Sequence, residues 1–295
     1  KSMTQQQPLV SVIIASYNHG RYIEESILSV LAQTYPNIEL LVVDDGSKDD
    51  SVERIQRLQA EHGFDFQVQQ NQGLTATLNG AIARAKGSLI APFGSDDIML
   101  PDRIAIQVAY MQDKPKVGIC AGNIELIDGD GHLHPEKKQR RDVPFRSLDF
   151  DDLFMDRKPF PPAPTMLIRR EALEQVGGFD PLIPLEDLLI QLKITAAGYT
   201  IDALDVVMAR YRQHASNTYK NHRYMIQNIL KTYAKFSEHP AYDAVRYKFL
   251  NSMFLKTADR DRPLAREILK QIPLKFWGRK TLRGLVRLYL MPLRN

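Results

Sequence analysis

Asp96 and Asp97 stand side by side in Phe93-Gly94-Ser95-Asp96-Asp97-Ile98, after the apolar run Ser88–Phe93 and just before Pro101-Asp102-Arg103. Two like charges this close each raise the cost of ionising the other. A hard divalent cation such as Mg²⁺ or Mn²⁺ resolves that conflict, taking one or two protein carboxylates and completing its octahedron with water and phosphate oxygens. The pair therefore points to a metal-bound phosphorylated ligand. An acidic turn leading into a helix with Pro101 at its first position is the alternative, and the dipeptide alone leaves both open. Glu186-Asp187, just ahead of the apolar positions Leu188, Leu189, Leu192 and Ile194, reads by spacing alone as acids in the first turn of a helix. His214, taken alone, reads as a structural hydrogen-bonding residue.

These residues need a frame. Leu9–Ala15 is a buried strand candidate, followed by the polar turn Ser16-Tyr17-Asn18-His19-Gly20 and a helix with Ile23, Ile27, Val30 and Leu31 at helical spacing. Ile38–Val43 reads as a second strand ending in Asp44-Asp45-Gly46-Ser47, with Ser47 or Asp49 capping a helix whose Val52, Ile55 and Leu58 share one face. Phe64–Val68 is a third strand, Thr75–Ala85 a third helix and Ser88–Phe93 a fourth strand. This order predicts an α/β fold with a mostly parallel central sheet covered by helices on both faces. Ligands of such sheets bind at the carboxyl ends of the strands. Ser16-Tyr17-Asn18, Asp44-Asp45, Asn71-Gln72-Gly73 and Asp96-Asp97 follow the four strands in turn, so four polar clusters converge on one rim.

The second half is less regular. The prolines of Lys158–Pro164 exclude a helix interior and predict an extended loop; Thr165–Ile168 follows as a short strand and Arg169–Val176 as a helix stopped by Gly177-Gly178. Glu186 opens a further helix that ends at Gly198, and from about His222 the chain reads as helical to its end.

At this point the residues resemble a family 2 glycosyltransferase of the GT-A fold, from Val10 to about Tyr219. The resemblance rests on Ser11-Val-Ile-Ile-Ala-Ser-Tyr-Asn18, Ser29-Val-Leu-Ala-Gln-Thr-Tyr-Pro36, Val43-Asp-Asp-Gly-Ser47, Asn71-Gln-Gly73, Ser95-Asp-Asp97, Gly177-Gly-Phe-Asp180, Glu186-Asp187 and Tyr211-Arg-Gln-His214 in that order. It implies a nucleoside diphosphate sugar donor, inverting transfer to an acceptor hydroxyl and a divalent cation, Mn²⁺ or Mg²⁺, at the diphosphate. It also implies a catalytic domain over 1–221, with a nucleotide-sugar half at about 8–125 and an acceptor half at 126–221, followed by a helical region at 222–295. Tyr17 matches a position that stacks on the base and Asp45 one that accepts from a pyrimidine N3–H, which favours UDP or dTDP over GDP; Asp44 is the alternative contact to base or ribose. Ser16, Asn18, Asn71 and Gly73 would line the nucleotide. Asp97 matches the metal ligand and Asp96 a ribose or metal-water contact. His214 matches a diphosphate or metal position, with Arg212 or Arg210 on phosphate. Asp187 matches the base that takes the acceptor proton, a step that a weakly nucleophilic hydroxyl requires, with Glu186 orienting hydroxyls. Two family habits are absent: Gly94 stands where an acid often precedes the aspartate pair, and Leu78 where an arginine often precedes the asparagine at Asn79.

Composition narrows the alternatives. A chain that is 44% hydrophobic can bury a sizeable core, and its net charge of +4 is too modest to argue for nucleic acid. The single cysteine, Cys120, lies in an apolar stretch and fits a buried, inert thiol in a reducing compartment. No apolar run reaches membrane-spanning length and no signal-peptide pattern opens the chain. The expectation is a cytoplasmic protein, at most peripheral at the inner face of the cytoplasmic membrane, acting on a saccharide or lipid-linked saccharide in bacterial surface polysaccharide or lipopolysaccharide assembly. Leu282, Leu285, Val286 and Tyr289 form a helical stripe beside Arg279, Arg283 and Arg287. Such a helix suits either an anionic membrane or packing on protein. Rival readings are a silent nucleotide-sugar or carbohydrate-binding module, which intact Asp97 and Asp187 oppose, and a sugar nucleotidyltransferase, whose glycine-rich basic phosphate loop is missing after the first strand.

Overall fold

The computed structural model describes residues 7–135, 142–214 and 221–294; the end of the resemblance, at 215–219, lies outside the described residues. The chain forms two compact units, Lys1–Asn217 and Thr218–Asn295. In the first unit β1 (Val10–Ser16), α1 (Ile23–Leu31), β2 (Ile38–Asp44), α2 (Ser51–His62), β3 (Asp65–Val68), α3 (Leu74–Arg84) and β4 (Leu89–Gly94) alternate strand and helix. Then come β5 (Ile98–Met99), α4 (Arg103–Met111), β6 (Val117–Ile127), β7 (Arg146–Leu148), α5 (Phe150–Phe154), β8 (Leu167–Arg169), α6 (Arg170–Gln175), α7 (Glu186–Ala196) and β9 (Thr200–Arg212). The second unit is helical: α8 (His222–Ala234), α9 (Tyr242–Thr257), α10 (Arg262–Lys270) and α11 (Arg279–Leu290).

One nine-stranded sheet runs β3-β2-β1-β4-β8-β6-β9-β5, with β7 on β9. Its first four strands are parallel, as the βαβ order requires. Beyond β4 the sheet is mixed: β8 is antiparallel to both β4 and β6, while β6 and β9 are parallel to each other. Val10, Val12 and Ile14 on one face of β1 join Ile23, Ile27 and Val30 of α1, Ile55 and Leu58 of α2, and Ile104 and Val108 of α4 in a continuous core. Ile13, Leu41 and Val43 are buried on the opposite face, where α3 covers β1 and β2. Each such aliphatic side chain contributes about 1.5–3 kcal/mol on burial, and burial on both faces explains why β1 reads as an unbroken apolar run.

Register in the second half sets the site. β5 pairs antiparallel with β9, placing Ile98 opposite Arg210, so the residues just before β5 lie beside those at the end of β9. That pairing joins Asp96 and Asp97 to Arg212 and His214, more than a hundred residues away in sequence.

Candidate active site

At the carboxyl ends of β1 and β2, buried polar groups build the rim. Asp44 is fully buried, and its carboxylate accepts from Ser47 Oγ (2.6 Å) and Ser47 N (2.8 Å). It organises the turn and has no face toward a ligand. Asp45 anchors the next loop: Oδ1 accepts from Gln72 N (2.7 Å) and Gln69 Nε2 (3.0 Å), Oδ2 accepts from Gly73 N (3.0 Å), and its carbonyl accepts from Asn71 Nδ2 (3.0 Å). A carboxylate has about four acceptor positions, so Asp45 keeps capacity for one further donor. Asn18, left-handed at φ 52°, is tied to the β2 turn by its N–H to Ser47 Oγ (2.9 Å) and its Oδ1 from Lys48 N (2.8 Å). This stitching presents Tyr17, 46% exposed, as an open aromatic face. Ser16 Oγ is buried with no hydrogen-bond partner among the described residues.

At the end of β4 the ligand atoms of His19, Asp96 and His214 all lie within 4.8 Å of one another. His214 Nε2 is 2.8 Å from Asp96 Oδ2, and His19 Nδ1 is 2.6 Å from Ser95 Oγ. Burial lowers the His19 pKa, against the charge of Asp96, and so favours the neutral imidazole that a metal needs. Tyr22 lies against the His214 ring at 5.0 Å between centroids, and the Arg212 guanidinium lies over the Tyr22 ring at 4.7 Å from its centroid. Two imidazoles and a carboxylate suit a first-row transition ion better than Mg²⁺, whose preferred ligands are all oxygens. Asp97 is outside this trio. Its Oδ1 accepts from Arg212 N at 3.0 Å, and burial, then the charge of Asp96, push its carboxyl well above the usual carboxylate range.

Arg212, expected to contact phosphate, is committed elsewhere. Only 2% exposed, it donates to the Asp96 carbonyl (2.8 Å), to Glu25 (3.0 Å) and to the carbonyls of Asp128 (3.4 Å) and Gly129 (3.3 Å). It fixes the backbone under the metal-type cluster with four of its five N–H donors. Arg210 is paired with Glu125 at 3.3 Å.

Glu186 and Asp187 open α7, which packs on β6 and β9 and leads back into β9 through a short turn. The N-terminus of α7 therefore sits toward the rim where the parallel strands end. Both side chains are half-buried, reached by water yet deep among protein atoms. Burial, then the charge of Asp187, raises Glu186 to about 8, and burial raises Asp187 against backbone N–H groups of its own first turn. The pair thus holds a proton near neutrality, and its titration belongs to both residues together.

Buried donors fasten the loops on this side. Arg103, 1% exposed, donates to the carbonyls of Pro164 (2.7 Å) and Met166 (2.8 Å), and Arg146 to that of Pro159 (2.8 Å). The proline-rich segment supplies few N–H groups, so these side chains satisfy its carbonyls. Asn79 clasps the backbone of Phe179 in both directions, Nδ2 donating at 2.7 Å and Oδ1 accepting at 3.0 Å. A cavity of about 690 Å³ lined by Ser88, Leu89, Arg169, Arg170 and Glu174 opens at the amino ends of the strands, away from these groups. Its arginines are bonded to carbonyls of Val117, Met111, Lys114, Gly87, Ile82 and Ala85.

The sequence model of the family described as Glycosyl transferase family 2 matches residues 11–177, more than half of the chain. The chain is a family 2 glycosyltransferase. It is 33% identical over 218 residues to an uncharacterised glycosyltransferase of Nostoc sp., covering 71% of this chain and 66% of that protein, so it spans just under two thirds of the relative's length. It is 29% identical over 216 residues to a putative teichuronic acid biosynthesis glycosyltransferase, TuaG, of Bacillus subtilis, covering 71% of this chain and 81% of that one. Its fold matches S. aureus TarS residues 1–349 in complex with UDP-GlcNAc (TM-score 0.64, 18% identity, 91% of this chain and 82% of that chain). It also matches the mannosyltransferase PcManGT of Pyrobaculum calidifontis in complex with GDP-Man and Mn²⁺ (TM-score 0.63, 19% identity, 96% and 88%).

In this glycosyltransferase one departure from family habit has a steric cause. A Cβ on Gly94 would lie 2.6 Å from Asp97 Oδ2 and 3.1 Å from Asp96 Oδ1, so the two carboxylates occupy the space where an acid would stand. Leu78 is buried, 3% exposed. The sequence reading did not single out His19; its signal was a histidine in a strand-end turn on the rim where the other polar clusters converge.

Proposed function

We propose that this glycosyltransferase moves a sugar from a nucleoside diphosphate sugar to a hydroxyl of a saccharide or lipid-linked saccharide, with inversion and with the help of Mn²⁺ or Mg²⁺. The observation that carries the reading is the His19–Asp96–His214 cluster on the same rim as the open Tyr17 face and the Asp45-anchored loop. His19, Asp96 and His214 would hold the cation, with Asp97 Oδ2 above Gly94 as the neighbouring carboxylate oxygen. When bound, the ion neutralises diphosphate charge and stabilises the leaving group. Tyr17 stacks on the base, and the remaining acceptor of Asp45 takes a base N–H. That acceptor favours UDP or dTDP over GDP. One fold neighbour is in complex with UDP-GlcNAc and another with GDP-Man, so the preference rests on Asp45.

Asp187, at the mouth of α7, takes the acceptor proton as the new bond forms, and Glu186, protonated near neutrality, donates a hydrogen bond to a sugar hydroxyl. Buried Asp44 and Arg212 position the two ends of the site. The setting is the cytoplasm or the inner face of the cytoplasmic membrane, in surface polysaccharide or lipopolysaccharide assembly. No helix among the described residues is long and apolar enough to cross a membrane. The test is donor turnover across UDP, dTDP and GDP sugars with Mn²⁺, reading the anomeric configuration of the product by NMR. Hydrolysis or transfer confined to UDP or dTDP sugars, with inverted product, is expected. Turnover confined to GDP sugars overturns the Asp45 assignment, and a retained anomer overturns the single-displacement role of Asp187.

A further inference from the structure

Helix α11 divides its circumference in a way that packing within its own unit does not explain. Thr281, Gly284 and Leu288 are buried against α9 and the helical core. The approach is close, since a Cβ on Gly284 would lie 2.4 Å from the Phe254 ring. Leu285 packs partly on the same core. Leu282, Val286 and Tyr289, at helical spacing, are instead 61%, 48% and 61% exposed, and the stripe runs on through Leu290 (77%) and Leu293 (55%). An apolar strip of this length left in water marks an interaction surface.

Charge says what covers it. Residues 275–295 contain Lys275, Arg279, Lys280, Arg283, Arg287 and Arg294 and no acidic residue. Arg279 and Arg283 are exposed and lie, by helical geometry, along one edge of the apolar stripe. Tyr289 is an amphipathic ring of the kind favoured at a membrane–water boundary. We propose that α11 is an in-plane anchor that lays Leu282, Val286, Tyr289, Leu290 and Leu293 into the headgroup region of an anionic bilayer, with the flanking arginines on lipid phosphates. This tethers the chain to the surface where a lipid-linked acceptor would be found. It rests on α11 alone, and lipid binding is read without turnover, so its failure leaves the transfer reading intact.

The test is flotation of the full chain with vesicles of phosphatidylcholine alone and of phosphatidylcholine containing one third phosphatidylglycerol. The wild type is expected to float with the anionic vesicles only. Arg279→Glu with Arg283→Glu, and separately Leu282→Ser with Val286→Ser, are each expected to lower the partition coefficient by roughly tenfold. Circular dichroism should remain unchanged, because all four positions are exposed. Equal binding to neutral vesicles, or undiminished flotation of both variants, overturns the proposal. So does a wild type that ignores both vesicles and sediments as a dimer that the Leu282/Val286 variant breaks, which would assign the stripe to a second copy of the chain.

Discussion

Replacing Glu186 by glutamine separates the two carboxylates of α7. Burial and the charge of Asp187 carry Glu186 from 4.5 to about 8. At pH 7 a group with that pKa is ionised in only about one molecule in ten. Glu186→Gln therefore swaps a mostly protonated acid for a neutral amide of the same shape that still donates a hydrogen bond. Transfer at pH 7 should stay within about threefold of wild type. At pH 9 the wild type carries a second negative charge beside Asp187 and the variant does not. The wild-type pH–rate profile should show an inflection near 8 that Glu186→Gln lacks, while Asp187→Asn loses transfer at every pH yet keeps donor binding. The same shift acts on stability. A carboxyl whose pKa rises on folding favours the folded state at low pH, and that advantage is lost as pH climbs from the unfolded value of 4.5 through about 8. Partly water-accessible as it is, Glu186 should cost on the order of a few kcal/mol above pH 8, so Glu186→Gln should raise the midpoint of thermal unfolding at pH 9 and barely change it at pH 5. An inflection that survives in Glu186→Gln, or a variant as inactive at pH 7 as Asp187→Asn, refutes this division of roles.

Other perturbations test the scaffold. Gly94→Ala forces a Cβ to within 2.6 Å of Asp97 Oδ2 and should weaken Mn²⁺ binding by roughly tenfold or more, read by calorimetric titration of the ion. Asn79→Ala removes both hydrogen bonds to the Phe179 backbone; urea unfolding should show a loss of about 1–3 kcal/mol. Arg103→Met strands the carbonyls of Pro164 and Met166 and should cost about 3 kcal/mol or more by the same measurement; an unchanged midpoint would mean that water replaces the guanidinium.

Much of the first half was legible because its physics is local. Parallel strands buried on both faces write themselves as apolar runs, and a rim of strand ends collects polar turns. The second half was harder. β9 passes through Leu204-Asp205-Val206 without clean alternation, and β6 carries Asn123 and Glu125 in its interior, so neither declared itself as a strand. Their register nevertheless decides which carboxylate meets which histidine. From sequence, Asp97 was the expected metal ligand and Asp96 a contact to ribose or to a metal-bound water. The β5–β9 pairing turns Asp97 toward the N–H of Arg212 and leaves Asp96 with His214 and His19. Arg212 or Arg210 was the expected phosphate contact because type and place were right; only the fold shows that four of the five N–H donors of Arg212 go to Glu25 and to carbonyls. Asp44 and Asp45 are equal as letters and both are buried; their partners distinguish them, the Ser47 turn for Asp44 and the Gln72–Gly73 loop for Asp45.

The most direct test of the central claim is calorimetric titration of UDP into the full chain with Mn²⁺ and with EDTA, in the wild type and in His19→Ala and His214→Ala. Binding in Mn²⁺ that weakens by roughly tenfold or more in EDTA, and in each variant even with Mn²⁺ present, is the result this account predicts. UDP affinity that is the same with the ion, without it and in both variants would contradict it.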